Sequence, residues 1–209
     1  MNLEYKYWVF PNVLSHKFCN EIRQYGIQQG DKTALVGGFT HDQKINKKQI
    51  KNIQKIRNSN VAWLDDKWIY RAILPYVYEA NKMAKWNFEI NAFESCQFTK
   101  YGPGQYYGWH CDSFPKPFNK PNVPREHGKI RKLSVTCSLS DPSEYMGGEL
   151  EFNFNEPDIT KKNNIKKCTE VLPKGSIVVF PSFVWHRVCP VQQGIRYSLV
   201  IWNLGYPYK

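Results

Sequence analysis

The sequence predicts an α+β protein with a jelly-roll core and N-terminal helices packed on its outside. Three observations carry this. Helical periodicity is confined to about residues 1–86; from Asn87 onward apolar residues recur at every second position; and the segments between those runs hold turn residues in place of helices. Short strands in close succession close most readily as two packed sheets.

Taken in order, Ser15 is placed to cap a helix reaching about Gln28, with Phe18, Cys19, Ile22 and Tyr25 on one stripe and Gly30-Asp31 ending it. Residues 41–59 are polar and Lys-rich and read as a surface loop or edge segment. A second helix starts near Asp65-Asp66, acidic where the helix dipole favours it. It runs through Trp68, Ile69, Ala72, Ile73, Tyr76, Val77 and Ala80 to Met83-Ala84. Pro75 within it predicts a kink or a division. The period-two segments follow at 88–92, 94–98, 132–139, 149–154, 176–180, 185–189 and 196–202. Gly102-Pro-Gly, Ser140-Asp-Pro, Met146-Gly-Gly, Pro173-Lys-Gly and Gln193-Gly punctuate them. No repeat or long linker divides the chain, so residues 1–209 are expected to form one domain, with 1–86 as mainly helical support and 87–209 as the jelly-roll core.

The chain has 209 residues, 42% of them hydrophobic and 15% aromatic, which excludes disorder, collagen and a coiled coil. No run approaches eighteen apolar residues and no secretory leader is visible, so no membrane partner and a cytoplasmic location are expected. The net charge of +11 comes mostly from lysines set among asparagines, since only seven of the 29 basic residues are arginine. A solvated surface is the favoured reading of that charge, with nucleic acid as the second. Six cysteines form no C-x-x-C pair, which argues against a thiolate zinc site or a disulfide framework.

The chemistry concentrates on few residues. His110-Cys-Asp112 is an H-x-D triplet following a Gly-rich turn, and in a strand its imidazole and carboxylate would share a face. His186 ends the apolar run 177–185. Two histidines and one carboxylate on one face of a metal, with open positions opposite, form the facial triad of non-haem iron(II) oxygenases. Arg196 lies ten residues beyond His186, past the turn 190–194, and a hairpin there would return it beside the strand of His186. It shares a face with Ser198, Val200 and Trp202. A buried guanidinium needs a partner, and a dicarboxylate would supply one bidentately.

This pattern resembles the 2-oxoglutarate and Fe(II)-dependent dioxygenases of the prolyl 4-hydroxylase type. Beyond His110-x-Asp112, His186 and Arg196, the similar features are Tyr101, Gly147-Gly-Glu149, Pro173-Lys-Gly175 with the strand to Phe180, the Phe10–Ser15 helix entry, and Arg57-Asn-Ser59 with Trp63-Leu64. The resemblance implies a double-stranded β-helix. It implies that His110, Asp112 and His186 hold Fe(II), and that Arg196 and Tyr101 grip the distal carboxylate of 2-oxoglutarate. O2 is the cosubstrate, with ascorbate as a candidate reductant. It implies hydroxylation of an unactivated C–H with release of succinate and CO2, a prolyl residue in a peptide or protein being the favoured target. Tyr107, Arg131 and Trp202 match substrate-facing positions. Two departures bear on the substrate: Leu150 stands where many prolyl hydroxylases carry a Thr, and Ser138-Leu139 where the family has Tyr-Leu.

Three other readings compete: an AlkB-type nucleic-acid demethylase, a hydroxylase of a free amino acid or other small molecule, and a catalytically silent jelly-roll module. The demethylase predicts basic residues farther beyond the distal histidine, but none stands between Arg196 and Lys209. The Pro- and Lys-rich stretch 114–132, with His127, reads as a lid that orders on substrate binding. His16 and His41 read as surface residues.

Overall fold

The computed structural model describes residues 3–30, 32–34, 46–114, 116–155, 158, 160–161 and 163–208. His41, Asp31 and the first part of the predicted 41–59 loop lie outside them. The N-terminal part contains β1 (Trp8–Phe10), α1 (His16–Gln28), β2 (Lys32–Thr33), α2 (Lys47–Gln54), β3 (Arg57–Asn58), β4 (Asn60–Leu64) and α3 (Lys67–Met83). There follow β5 (Ala92–Phe93), β6 (Cys96–Tyr101), β7 (Tyr106–His110), β8 (Ile130–Ser138), β9 (Tyr145–Gly147), β10 (Leu150–Asn153) and β11 (Ile165–Lys167). The last four strands are β12 (Ile177–Pro181), β13 (Trp185–Val188), β14 (Val191–Gly194) and β15 (Arg196–Gly205).

The described strands form two main antiparallel sheets, as expected for a jelly roll, and a separate two-stranded one. The larger runs β1-β12-β8-β15-β6-β4-β2, with β5 also on β15; the smaller runs β11-β10-β13-β7-β3, and β14 pairs with β9. The N-terminal part is therefore more than helical support, because β1, β2 and β4 extend the large sheet and β3 the small one. At two to five residues each, these strands are too short for alternation to show in sequence.

The large sheet has two unlike faces. Leu133, Val135 and Cys137 of β8, with Tyr197, Leu199 and Ile201 of β15, are buried beneath α1 and α3 against Ile22, Ile69, Ile73 and Val77. Each such aliphatic side chain contributes about 1.5–3 kcal/mol of burial. Helix α1 approaches so closely that a Cβ on Gly26 would run into the Phe98 ring. The alternate residues Ser134, Thr136, Ser138, Gln97, Thr99, Arg196 and Ser198 are equally buried but polar. An interior face of that composition is a binding site rather than a packing surface. Leu150, Phe152, Val178, Phe180 and Val184 close one end of the space between the sheets.

Several local expectations meet a physical outcome. Ser15 caps α1, its Oγ accepting from Phe18 N at 3.1 Å. Residues 47–54, read as loop, are helical: Asn46 and Gln49 form a capping box and Ile53 is buried. Pro75 does not divide α3. It sits on the exposed face, where water can satisfy the carbonyl left without a donor. No strand covers 88–91, because the Asn81 side chain bonds both the N–H and the C=O of Phe88 in place of a ladder. No helix among the described residues is long and apolar enough to cross a membrane.

Candidate active site

The site lies between the polar face of the large sheet and β7 and β13 of the small one. His110 ends β7 and is the register partner of His186 on β13. Each imidazole is oriented by its own backbone: His110 Nδ1 lies 2.8 Å from Gly108 O and His186 Nδ1 lies 2.9 Å from Val184 O. A carbonyl can only accept, so Nδ1 carries the proton and Nε2 presents its lone pair. Both Nε2 atoms point at one carboxylate, with His110 Nε2 3.6 Å from Asp112 Oδ1 and His186 Nε2 3.6 Å from Oδ2. That spacing is too long for hydrogen bonds. The three donor groups lie within 4.8 Å of one another, the arrangement of a metal site.

Asp112 arrives by another route than expected. Strand β7 stops at His110, and Asp112 lies in the turn beyond it, where its N–H donates to Ser182 O at 2.8 Å. The shared strand face does not apply; a backbone tie to the β12–β13 connection turns the carboxylate inward. Ser134 Oγ then donates to Oδ2 at 2.7 Å and meets Ser182 Oγ at 2.9 Å. Burial opposes the Asp112 carboxylate, but the two imidazoles, Arg131 and Ser134 outweigh it and hold its pKa below the ordinary range. Burial, helped by the neighbouring His186, pushes the His110 imidazolium well below a normal histidine. At neutral pH the cluster is one carboxylate and an unprotonated His110, suited to a divalent cation.

Arg196 reaches the site across the sandwich. No hairpin returns it beside β13; β15 belongs to the large sheet, between β8 and β6, and faces the small sheet. The expected parity holds, with Arg196, Ser198, Val200 and Trp202 all lining the pocket. Arg196 is 4% exposed, is the register partner of Tyr101, and sits 5.6 Å from the Tyr101 ring centroid. Its guanidinium has one hydrogen bond, Nη1 to Ser198 Oγ at 3.3 Å, and no carboxylate partner among the described residues. Gly147 and Gly148 explain themselves here, both at positive φ, 78° and 67°. A Cβ on Gly148 would stand 3.0 Å from Arg196 Cδ.

The remaining predicted residues divide. Tyr107 stacks on the His110 ring with centroids 3.5 Å apart, and Trp202 lines the pocket. Arg131 instead forms a bidentate pair with Glu94, at 2.6 and 2.8 Å, and lies 3.9 Å above the Trp202 ring. Its fork is already engaged. The 114–132 stretch folds on itself through Phe118 N to Lys129 O at 2.8 Å and an ion pair of Lys120 with Glu126 at 2.7 Å, and brings Phe114 and Phe118 near Arg131. His127, on that stretch, is exposed, as is His16. Ser134, Ser182 and Gln97 were not anticipated, and Arg57 was marked only as part of a family-like stretch with no role in the site. The signal for Ser134 was present in β8, where Ser134, Thr136 and Ser138 alternate with apolar residues.

Residues 96–203, just over half of the chain, match the family model of the 2OG-Fe(II) oxygenase superfamily. The chain belongs to that superfamily. Its residues fit the family's cofactors, Fe(II) and 2-oxoglutarate with O2: three convergent donors suit the metal, and a buried guanidinium without an acid suits a dicarboxylate. A PKHD-type hydroxylase of Synechococcus sp. (strain CC9902) is 39% identical over 118 residues, 56% of this chain and 44% of that protein. The matched region is thus about half of this chain and less than half of that relative. In three dimensions the chain resembles the viral collagen prolyl hydroxylase of Paramecium Bursaria Chlorella virus-1, with TM-score 0.65 and 21% identity over 97% of both chains. It also resembles a Trichoplax adhaerens prolyl hydroxylase solved with a hypoxia inducible factor peptide fragment, with TM-score 0.60 and 18% identity over 96% of this chain and 84% of that one. At these identities the two structures speak to the fold.

Proposed function

We propose that this oxygenase hydroxylates a prolyl residue in a peptide or protein, with residues 1–209 acting as one catalytic domain in the cytoplasm. The observation that carries the reading is the convergence of two lone-pair nitrogens and one carboxylate beside a buried arginine that lacks an acid. His110, Asp112 and His186 would hold iron(II), and Arg196 with Tyr101 would hold the distal carboxylate of 2-oxoglutarate. Iron with 2-oxoglutarate and O2 supplies the oxidation, yielding succinate, CO2 and a hydroxylated carbon.

The chain's own residues bind, orient and exclude water. Ser134 and the Gly108 and Val184 carbonyls fix the three ligands before the metal arrives. Tyr107 and Trp202 give an apolar wall that suits a pyrrolidine ring, and Trp63 extends it outward, its ring 6.1 Å from that of Trp202. The relatives named as prolyl hydroxylases, one holding a peptide, support a peptide substrate. Buried cysteines such as Cys19, Cys96 and Cys137, in no disulfide, suit a reducing compartment.

The test is mass spectrometry of proline-containing peptides and host lysate, with and without 2-oxoglutarate. Oxygen added to proline, absent in Asp112→Ala, is the expected result. Oxidation confined to nucleic acid or to a free amino acid would replace the reading.

A further inference from the structure

The pocket holds a second buried arginine without an acid. Arg57 on β3 is 5% exposed and lines the same cavity as the three candidate iron ligands. Its Nε donates to Ser59 Oγ at 2.9 Å and its Nη2 to Gln97 Oε1 at 2.6 Å, while the guanidinium covers the Tyr107 ring at 4.5 Å. All three partners are neutral, and no acceptor among the described residues meets Nη1. Arg131, the other arginine on the substrate side, is neutralised by Glu94.

A buried charge left without a counter-charge is costly, so its persistence in a pocket wall points to a ligand that brings one. The cofactors do not. In the proposed site the iron charge is met by Asp112 and by the diacid, whose far end meets Arg196. Arg57 is anchored elsewhere, because Gln97 stands four residues along β6 from Tyr101, about 13 Å at the strand rise. A second observation agrees. The indole Nε1 of Trp202, on the same pocket, is buried with no acceptor. The substrate side therefore offers donors that lack acceptors.

We propose that Arg57 is a specificity-determining residue that binds a carboxylate of the substrate. The favoured peptide then either carries an acidic side chain beside the target residue or ends at that residue with a free C-terminal carboxylate. This deepens the prolyl hydroxylase reading and rests on it.

The test reads binding rather than turnover. Protein loaded with iron(II) and 2-oxoglutarate without oxygen is titrated with three probes: N-acetylproline, its neutral amide, and a glutamyl-proline dipeptide blocked at both ends. Trp63 and Trp202 are the fluorescence reporters. At least one acidic probe should bind about tenfold or more tighter than the neutral amide, as expected when a charge-assisted fork is formed. Which one does so identifies the source of the carboxylate. Arg57→Gln should bring that ratio near one, and Arg57→Lys, which keeps the charge and loses the fork, should hold an intermediate ratio. Melting curves identify any variant that is unfolded. Equal binding of all probes, no binding of any, or a preference that survives in Arg57→Gln overturns the proposal. Failure of the prolyl reading looks different: no hydroxylated proline by mass spectrometry, with the carboxylate preference intact.

Discussion

Ser134 donates its hydroxyl to Oδ2 of Asp112 at 2.7 Å, from β8 of the opposite sheet and from 22 residues farther along the chain. The bond acts on the carboxylate oxygen that faces His186, so it sets the angle at which Asp112 meets a metal. Ser134→Ala removes it while leaving the fold's apolar contacts in place. Outer partners of this kind are worth roughly 10–100-fold in metal affinity. A loss of about tenfold in iron(II) or manganese(II) affinity by titration is expected, with little change in melting temperature. Unchanged affinity would show that the backbone bonds of Asp112 and Ser113 to the Ser182 carbonyl suffice to position the carboxylate.

Gly148 lies at φ 67° with Arg196 Cδ and Val191 Cγ2 where its side chain would be. Gly148→Ala therefore meets both backbone strain and a crowded Arg196. The expected outcome is a rise of about tenfold or more in the 2-oxoglutarate concentration needed for half-maximal succinate release, together with a destabilisation of about 1–3 kcal/mol. Denaturant unfolding and a 2-oxoglutarate titration check the two parts separately.

The unpaired burial of Arg196 has opposite consequences with and without ligand. Without it, the guanidinium costs free energy, and Arg196→Met, of similar length, should melt at the same temperature or higher. With metal and saturating 2-oxoglutarate, the natural protein gains stability by mass action, about 2.7 kcal/mol at a hundredfold excess over Kd. Arg196→Met should lose most of that gain. Thermal melts of both proteins, with and without the diacid, give four temperatures whose pattern decides it. Equal ligand-induced shifts would remove Arg196 from the cofactor site.

How the sequence exposed the site depended on the range of each contact. His110, Asp112, His186 and Arg196 were legible because residue type and spacing mark them locally, and the face shared by Arg196, Ser198, Val200 and Trp202 follows from period two alone. The paths by which they converge were not legible. Asp112 is turned inward by a hydrogen bond to Ser182, and Arg196 crosses from the opposite sheet; both depend on strand order, which no local pattern encodes. Arg57 is the clearest case. Its two-residue strand carries no alternation, and its partner Gln97 is forty residues away. Arg131 shows the same limit, since only the fold brings Glu94 to its Nε and Nη2.

His110 gives the protein a pH signature that depends on burial. Its pKa is lowered to about 3, first by desolvation and then by His186, whereas in the unfolded chain it titrates near 6.5. Between those values the unfolded chain binds a proton that the folded one refuses, so unfolding consumes a proton and stability rises with pH. The contribution is complete above about pH 6.5 and is lost as pH falls toward about 3. The metal-free protein should therefore melt at progressively lower temperature below about pH 6.5. His110→Phe, which fills the same space without a titrating group, should show a shallower decline, by close to one proton in the linkage slope. Added zinc(II) meets a ring already unprotonated in the fold, so it should raise the melting temperature of the natural protein without steepening the His110 part of the slope, and should raise that of the variant much less. A slope identical in both proteins would mean that His110 titrates normally, and that its imidazole is exposed to water when the metal is absent.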